Sequence, residues 1–348
     1  MNVLEIIRYR LAGQQLAGTT CTGPQEIVRR LGAVQAQVFS MAKWAIGLRL
    51  PGSRESDIDR AFNEGKILRT HLLRPTWHFV SPQDIRWMLA LSAPRVHAAN
   101  AFMYRQLELD KAVFKKSNAT IVKMLRDGNH LTRDELNTGL KRAKIIAGGP
   151  RLSYLMMFAE LEGIICSGPR KGKQFTYALI DEHVPATKKE SREESLGRLT
   201  EIYFSSRGPA TIADYCWWSG LTVKDAKTGI ALLSSKLTCE KINDREHYFV
   251  PADLPENKLL QTFLMPDYDE YGIGYKDRSA MSNKLANQGT LTVYSHLLII
   301  DGIFGGTWDR TEQGKKVAAN VTPFFDLDKA QRQNVAEAVK KYDAFFAG

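Results

Sequence analysis

The sequence has few cysteines and no long apolar segment. Its four cysteines stand far apart in 348 residues, and none forms a Cys-x-x-Cys pair or has a histidine at zinc-ligand spacing. This pattern excludes a disulfide scaffold and argues against a structural zinc. No run of about 18 apolar residues occurs, so no transmembrane helix is expected. The first residues also lack the basic-then-apolar order of a secretory signal, and a cytoplasmic protein without a membrane partner is expected.

The charge of the chain is unevenly distributed. With 44% hydrophobic and 25% charged residues, the composition is that of a globular protein. The net charge is +10, but residues 1–180 hold 27 Lys and Arg against 14 Asp and Glu, whereas residues 181–348 hold 21 against 24. A basic half predicts a polyanionic partner, most often nucleic acid. A merely basic surface is the alternative.

Three stretches repeat the order helix, helix, β-hairpin. In the first, a helix predicted over residues 56–63 precedes strands over 67–72 and 76–80. The same order recurs within residues 132–180 and 195–250. Helices followed by a hairpin are typical of winged helix-turn-helix units.

Local signals predict where several helices begin. Thr132 with Glu135 forms a capping box, and Thr222 follows Gly220 as the cap of another helix. Ser81-Pro82 predicts a helix that starts at the proline.

The pattern changes to strands and turns from about residue 259, and a helix is predicted over 327–346. The expected fold class is therefore α+β, with tandem winged helix-turn-helix units followed by a small β-rich C-terminal domain. The expected domains are residues 1–127 for the first winged-helix unit, 128–182 for the second, 195–252 for the third and 258–348 for the β-rich domain with its terminal helix.

Two glutamines stand in an otherwise apolar stretch. Gln35 and Gln37 are two residues apart within residues 31–39. A buried amide needs hydrogen-bond partners for its oxygen and its NH₂ group. From the residues alone the pair is either structural, tying loops together, or catalytic.

The first predicted hairpin concentrates cationic and aromatic side chains. Arginine can hold phosphates, and tryptophan can stack on bases or wedge between them. Alternatively the tryptophan belongs to the core and the histidines are packing groups. The candidate DNA-binding residues are Arg69, Arg74, Thr76, Trp77 and His78. Because His71 and His78 lack a third ligand at usable spacing, no metal site is expected here.

An acidic cluster occurs at Asp267, Asp269 and Glu270. Such a cluster could bind a divalent ion and would then indicate a metal-dependent hydrolase. We favour a loop whose carboxylates pair with neighbouring bases. Activity that is insensitive to EDTA would remove the hydrolase alternative.

Several segments in a fixed order carry a family resemblance. The segments are residues 34–37, 74–78, 264–271, 274–278, 300–302 and 306–308. Together they resemble the AlkZ/YcaQ-type winged-helix DNA glycosylases over about residues 4–310. The second glutamine of the Gln-x-Gln motif places the chain with the AlkZ-like branch, since the YcaQ-like branch has Asp there.

The resemblance implies fold, activity and site residues. It implies tandem winged helices with a C-terminal β-domain, and excision of alkylated purines, including bulky adducts and in some cases interstrand crosslinks. It makes Gln35 and Gln37 the catalytic pair of a monofunctional glycosylase without a cofactor. The expected partner is double-stranded DNA carrying alkylated bases, bound by a monomer associated with the nucleoid.

A winged-helix transcription regulator without catalytic activity is the main competing interpretation. It explains the basic hairpins but not the two amides in an apolar motif. A regulator binds one sequence far better than random DNA, whereas a glycosylase responds to lesions.

Overall fold

A computed structural model describes residues 1–252, 254, 262–282, 294–313 and 316–347. After the helix α1 (Val3–Gly13), the chain forms a first winged-helix unit. Its elements are α2 (Pro24–Leu31), β1 (Ala33–Gln35), α3 (Phe39–Leu48), α4 (Glu55–Asn63), β2 (Leu68–Leu72) and β3 (Thr76–Val80). The strands form an antiparallel sheet in the order β1-β3-β2. β1 therefore pairs with β3, at the edge opposite to β2. Both hairpin strands are confirmed, and β1 adds a third strand.

The long helix α5 (Ile85–Gln106) connects this unit to the second one. The second unit consists of α6 (Lys111–Leu125), β4 (Leu131–Thr132), α7 (Arg133–Arg142), α8 (Gly149–Leu161), β5 (Ile165–Lys171) and β6 (Gln174–Leu179), and the short helix α9 (Ile180–His183) follows it. Its sheet order, β4-β6-β5, repeats that of the first unit. The capping box of Thr132 and Glu135 is confirmed at the start of α7.

One predicted helix start is wrong. The chain from Ser81 to Asp84 forms a turn, and α5 begins only at Ile85. The side chain of Asp84 accepts a hydrogen bond from Trp87 Nε1 at 3.0 Å. The backbone N–H groups of Asp84 and Ile85 both donate to the carbonyl of Ser81, at 3.0 and 3.1 Å, so residues 81–84 form the turn that leads into the helix.

The third unit has the same order with its first strand reduced to one residue. It comprises α10 (Arg192–Arg207), α11 (Ile212–Ser219), α12 (Val223–Leu232), β7 (Thr238–Ile242) and β8 (Arg245–Phe249). Ala210 forms a β-bridge with Tyr248 in the place of a first strand. Asn243 and Asp244 have φ of 47° and 62°, as a tight hairpin turn requires.

The C-terminal part is a meander covered by a helix. Its elements are β9 (Phe263–Met265), α13 (Glu270–Ile273), β10 (Leu297–Ile300), β11 (Ile303–Gln313), β12 (Lys316–Pro323) and α14 (Lys329–Phe346). The antiparallel order is β9-β10-β11-β12. The fold class expected from the sequence is confirmed, while the predicted start of this domain at residue 258 lies outside the described residues.

Hydrophobic cores join these parts, and the first of them also includes Leu161 and Cys166 of the second unit. One core combines residues of the first unit, the third unit and the C-terminal domain, for example Leu72, Trp218 and Tyr271. A second core packs α3 against α14, where Trp44 also donates from Nε1 to the carbonyl of Leu264 at 2.7 Å. The hairpin β2-β3 consequently lies where the parts of the molecule meet.

The second unit has a core of its own, and α6 contributes to it with Phe114, Ile121 and Leu125. By its packing α6 therefore belongs with the elements that follow it. The domain boundaries expected from the sequence stay predictions. Among the described residues, no helix is both long and apolar enough to cross a membrane.

Candidate active site at the domain junction

The Gln-x-Gln motif lies at the end of β1. Gln35 pairs with His78 of β3, and the amide of Ala36 extends the ladder by donating to the carbonyl of Trp77 at 2.7 Å. Ala36 is fully buried, whereas Gln35 is 7% exposed and Gln37 is exposed. Because side chains alternate along an extended chain, the apolar middle residue enters the core, while Gln35 and Gln37 share the opposite face, on which Gln35 is buried and Gln37 is exposed. The spacing of the motif is thus a consequence of strand geometry.

Both amide oxygens are held by donors of the hairpin. Gln35 Oε1 accepts from Arg74 Nη2 at 3.0 Å, and Gln37 Oε1 accepts from the backbone N–H of Trp77 at 3.0 Å. An amide oxygen has two lone pairs, so each oxygen can accept one further hydrogen bond. The structure therefore brings the two predicted catalytic residues together and fixes the direction of both amides.

The backbone of the motif is fixed by a buried carboxylate. Glu270 Oε1 accepts from the backbone N–H of Gln35 at 3.0 Å, and its Oε2 accepts from Arg207 Nη2 at 2.6 Å. Trp218 Nε1 donates to the same Oε2 at 2.9 Å. The side chains of Glu270 and Arg207 are completely buried. The end of β1 is therefore tied to the C-terminal domain and to the third unit at one point.

The other acidic residues of this loop are also engaged. Asp269 forms a buried bidentate ion pair with Arg49, at 2.7 and 2.8 Å. Asp267 Oδ1 lies 3.4 Å from His296 Nε2, and burial raises the pKa of the Asp267 carboxyl group. The predicted pairing of this cluster with neighbouring bases is confirmed for Asp269 and Glu270. Within the described ranges, no group of three or more His, Cys, Asp or Glu side chains could hold a metal ion.

Arg74 is the cation of the hairpin that lies next to the motif. Besides Gln35, it contacts the third unit through a hydrogen bond from Nη1 to the carbonyl of Trp217 at 3.4 Å. Burial lowers the pKa of Arg74, but a guanidinium stays protonated at neutral pH. Its Nε is buried and has no hydrogen-bond partner in the described part of the chain, and the same holds for Thr76 Oγ1.

Trp77 is partly buried and is supported from behind. The guanidinium of Arg69 lies 4.1 Å from the centroid of its ring, and the ring of His71 lies 4.6 Å away. His71 is fixed in turn by Glu160 of α8. Arg69 is only 9% exposed, donates from Nε to the carbonyl of Ala36 at 3.0 Å, and has its pKa lowered to about 10 by burial. Arg69 therefore lies inside the protein, behind Trp77.

His78 is also an interior residue. It is completely buried, and its Nδ1 lies 2.9 Å from the carbonyl of Thr76. Burial lowers the pKa of His78 to about 3, with the charge of Arg74 as a further cause. The imidazole is consequently neutral at physiological pH, and Nδ1 carries the proton that it donates to Thr76.

The helix α4 has the position that a recognition helix takes in a winged-helix unit, but its exposed face is acidic. Its carboxylates Glu55 and Asp59 pair with Lys43 of α3 at 2.6 and 2.9 Å. Lys43, the lysine that follows the motif most closely in sequence, is thus engaged in a structural ion pair. In this unit the cations near the site come from the hairpin instead.

Sequence reasoning missed Trp217 as a neighbour of the site, placed Glu270 only in an acidic loop and gave no role to Arg278. The guanidinium of Arg278 lies 5.8 Å from the centroid of the Trp217 ring. Glu270 and Arg278 do stand within the segments that carry the family resemblance. No sequence signal relates Trp217 to Arg74, since they are 143 residues apart.

The fold thus places repeated helix–helix–hairpin units around the two glutamines and the cationic hairpin. A family model described as "DNA glycosylase AlkZ-like" matches residues 28–345. The chain belongs to this family, as the resemblance predicted, and is a DNA glycosylase, a hydrolase of N-glycosyl bonds.

Two comparisons, both with a DNA glycosylase of Streptomyces sahachiroi, agree with this assignment. An "interstrand DNA cross-link repair glycosylase" of Streptomyces sahachiroi is 25% identical over 351 residues, which cover 93% of this chain and 91% of that protein. The solved structure of the DNA glycosylase AlkZ of Streptomyces sahachiroi has a TM-score of 0.83 at 20% identity, covering 99% of this chain and 97% of that chain. The latter similarity shows the shared fold.

Proposed function

We propose that this glycosylase hydrolyses the N-glycosidic bond of purines alkylated at N7 or N3 in double-stranded DNA, with Gln35 and Gln37 as the catalytic pair. The observation that carries the proposal is the fixation of both amide oxygens by one hairpin. Bulky or crosslinked adducts are included, since the relative from Streptomyces sahachiroi is named for interstrand crosslink repair. The protein acts without a cofactor, as a monomer, on the DNA of the nucleoid.

The proposed reaction needs little acid catalysis from the enzyme. Alkylation at N7 or N3 makes the purine cationic, so the base leaves without being protonated. What remains is to place a water molecule below C1′ and to stabilise the positive charge that develops on the sugar. The free lone pairs of Gln35 Oε1 and Gln37 Oε1 can accept from this water and direct their dipoles toward the developing charge.

Two neighbouring residues support hydrolysis by amides alone. His78 is neutral and buried, with a pKa lowered to about 3 by burial, which does not suit a general base at neutral pH. Lys43 is held by Glu55 and Asp59, which disfavours it as a nucleophile for strand cleavage. The engagement of Lys43 supports a monofunctional reaction.

The DNA-binding residues of the hairpin have two kinds of role in this proposal. Arg74, Thr76 and Trp77 contact the damaged strand. Arg69 and His78 are buried and affect DNA binding indirectly. Arg69 supports the ring of Trp77, and His78 fixes the backbone at Thr76.

The test is release of free base from DNA that carries N7-methylguanine or a nitrogen-mustard crosslink. Gln35→Ala and Gln37→Ala should each lower single-turnover excision by about ten- to a thousandfold, because a lost transition-state contact costs a few kcal/mol. Gln106→Ala, at the exposed end of α5, is the matched control and should be fully active. Wild-type activity in the Gln35/Gln37 double alanine variant would overturn the proposal.

A further inference from the structure

Trp217 of α11 is a large aromatic side chain that is exposed and yet fixed. It is 38% exposed, and its Nε1 donates to the carbonyl of Ile273 at 3.1 Å. The hydrogen bond satisfies the polar end of the indole and holds the ring in one orientation. A preordered ring face at the surface is what stacking on a nucleobase requires.

Two arginines from different parts of the chain meet at this tryptophan. Arg74 of the first unit donates to its carbonyl at 3.4 Å, and the guanidinium of Arg278 lies 5.8 Å from the centroid of its ring. Arg278 is oriented by a hydrogen bond from Nε to the carbonyl of Gly272 at 2.8 Å. The three side chains thus come from the first unit, the third unit and the C-terminal domain.

Both arginines have unused donors. Arg74 Nε and Arg278 Nη2 are buried without a hydrogen-bond partner, as far as the described residues show. Within the same residues, neither guanidinium has a carboxylate at ion-pair distance; Glu270, whose charge acts to raise the pKa of Arg74, pairs with Arg207. Buried, unpaired N–H groups of two neighbouring cations are complementary to an anion with several acceptor oxygens, such as a phosphodiester.

The reaction itself also calls for an anion here. Arg74 is hydrogen-bonded to Gln35, so in the proposed mechanism its charge lies beside the sugar that becomes positive in the transition state. Two uncompensated cations would repel that charge. A phosphodiester bound between Arg74 and Arg278 would neutralise them and keep the arginines compatible with catalysis.

We propose that Trp217, Arg74 and Arg278 form a nucleotide-binding subsite for the damaged strand, in which the indole face stacks on a base and the two guanidinium groups bind its phosphodiester. This inference rests on the proposed function, since the subsite adjoins the glutamine pair. It gives the third unit and the C-terminal domain a direct part in binding the substrate.

The probe is a duplex carrying 2′-fluoro-N7-methylguanosine, whose fluorine opposes positive charge on the sugar and so slows cleavage. Binding is measured by fluorescence anisotropy from about 50 to 200 mM salt, beside an undamaged duplex of the same sequence. Arg278→Gln should lower the slope of log K against log salt by about 0.9, the value for one lost phosphate contact. Arg332→Gln, an exposed arginine of α14, is its control and should keep the wild-type slope.

Stacking is tested with three replacements of Trp217. Trp217→Ala and Trp217→Leu should weaken binding to the lesion duplex by about five- to a hundredfold, whereas Trp217→Phe should retain most of the affinity. Phe102→Ala removes an exposed aromatic of α5 and should have no effect. Thermal unfolding is recorded for each variant, and the leucine variant, which keeps apolar volume, is used if the alanine variant unfolds.

The outcomes separate the subsite from the proposed substrate. If the wild type prefers the lesion but Trp217→Leu and Arg278→Gln bind as the wild type does, the subsite is wrong and the substrate class is unaffected. If the wild type binds both duplexes equally while the two variants still lose affinity and salt slope, the subsite is supported and the alkylpurine proposal is wrong.

Discussion

Gln35 and Arg74 are joined by a hydrogen bond of 3.0 Å between the amide oxygen of the first and Nη2 of the second. The bond connects the end of β1 to the turn of the β2-β3 hairpin, where Leu73 has a φ of 59°. A rearrangement of the hairpin on DNA would therefore be transmitted to the amide. In the proposed function, binding and catalysis share this arginine.

Arg74→Ala should consequently reduce excision as well as DNA affinity. We expect single-turnover release of N7-methylguanine at saturating enzyme to fall by about ten- to a hundredfold, as a hydrogen bond to a charged group contributes about 1.5–3 kcal/mol. Arg74→Lys should recover affinity more than rate, because an ammonium cannot reproduce the fork that reaches Gln35 and Trp217 together. A variant with weakened affinity and an unchanged saturating rate would show that the bond to Gln35 is dispensable.

Glu270→Ala should destabilise the fold strongly. It leaves the buried guanidinium of Arg207 without its partner, and breaking a buried pair in this way costs about 3–5 kcal/mol. The matched control is Asp181→Ala. The carboxylate of Asp181 lies 2.8 Å from Arg86 Nη1 but is 87% exposed, so its removal should lower the free energy of unfolding by less than about 1 kcal/mol. Urea unfolding of both variants measures the difference, and equal midpoints would contradict the structural role of Glu270.

His78 should make the fold less stable in acid. Burial lowers its pKa to about 3 in the folded protein from 6.5, so below pH 6.5 the unfolded chain binds a proton that the folded protein excludes. The free energy of unfolding that depends on neutral His78 is fully present above pH 6.5. It declines by about 1.4 kcal/mol per pH unit as the pH falls toward 3. The His78→Leu variant lacks this pH-dependent loss of stability, because leucine does not titrate. Urea unfolding at pH 7 and pH 5 should show a smaller loss in the variant; an equal loss would mean that His78 titrates normally.

Excision of N7-methylguanine should vary little between about pH 6 and 8, because amides do not titrate and His78 stays neutral. Gln37→Asp should retain more activity than Gln37→Ala, since a carboxylate still accepts from water. A rate that falls below about pH 6.5 in the wild type but not in His78→Leu would instead assign the chemistry to the histidine.

Some features were determined by the sequence because their signals act over a few residues. The capping box at Thr132 and the two strands of the first hairpin depend on neighbouring residues, and both predictions are confirmed. The Gln-x-Gln spacing also has a local cause, the alternation of an extended strand. The repeated helix–helix–hairpin order, and hence the fold class, follows from such signals.

The surroundings of the candidate site were decided by tertiary packing. Gln35 and Glu270 are 235 residues apart. The backbone N–H of Gln35 reaches the Glu270 carboxylate because the C-terminal domain packs against the first unit through two shared cores. Whether an arginine or histidine of the hairpin faces inward or outward depends on which domain covers it, as Arg69 and His78 show. Local signals specify elements, whereas burial and partners far apart in sequence are fixed only when the elements pack together.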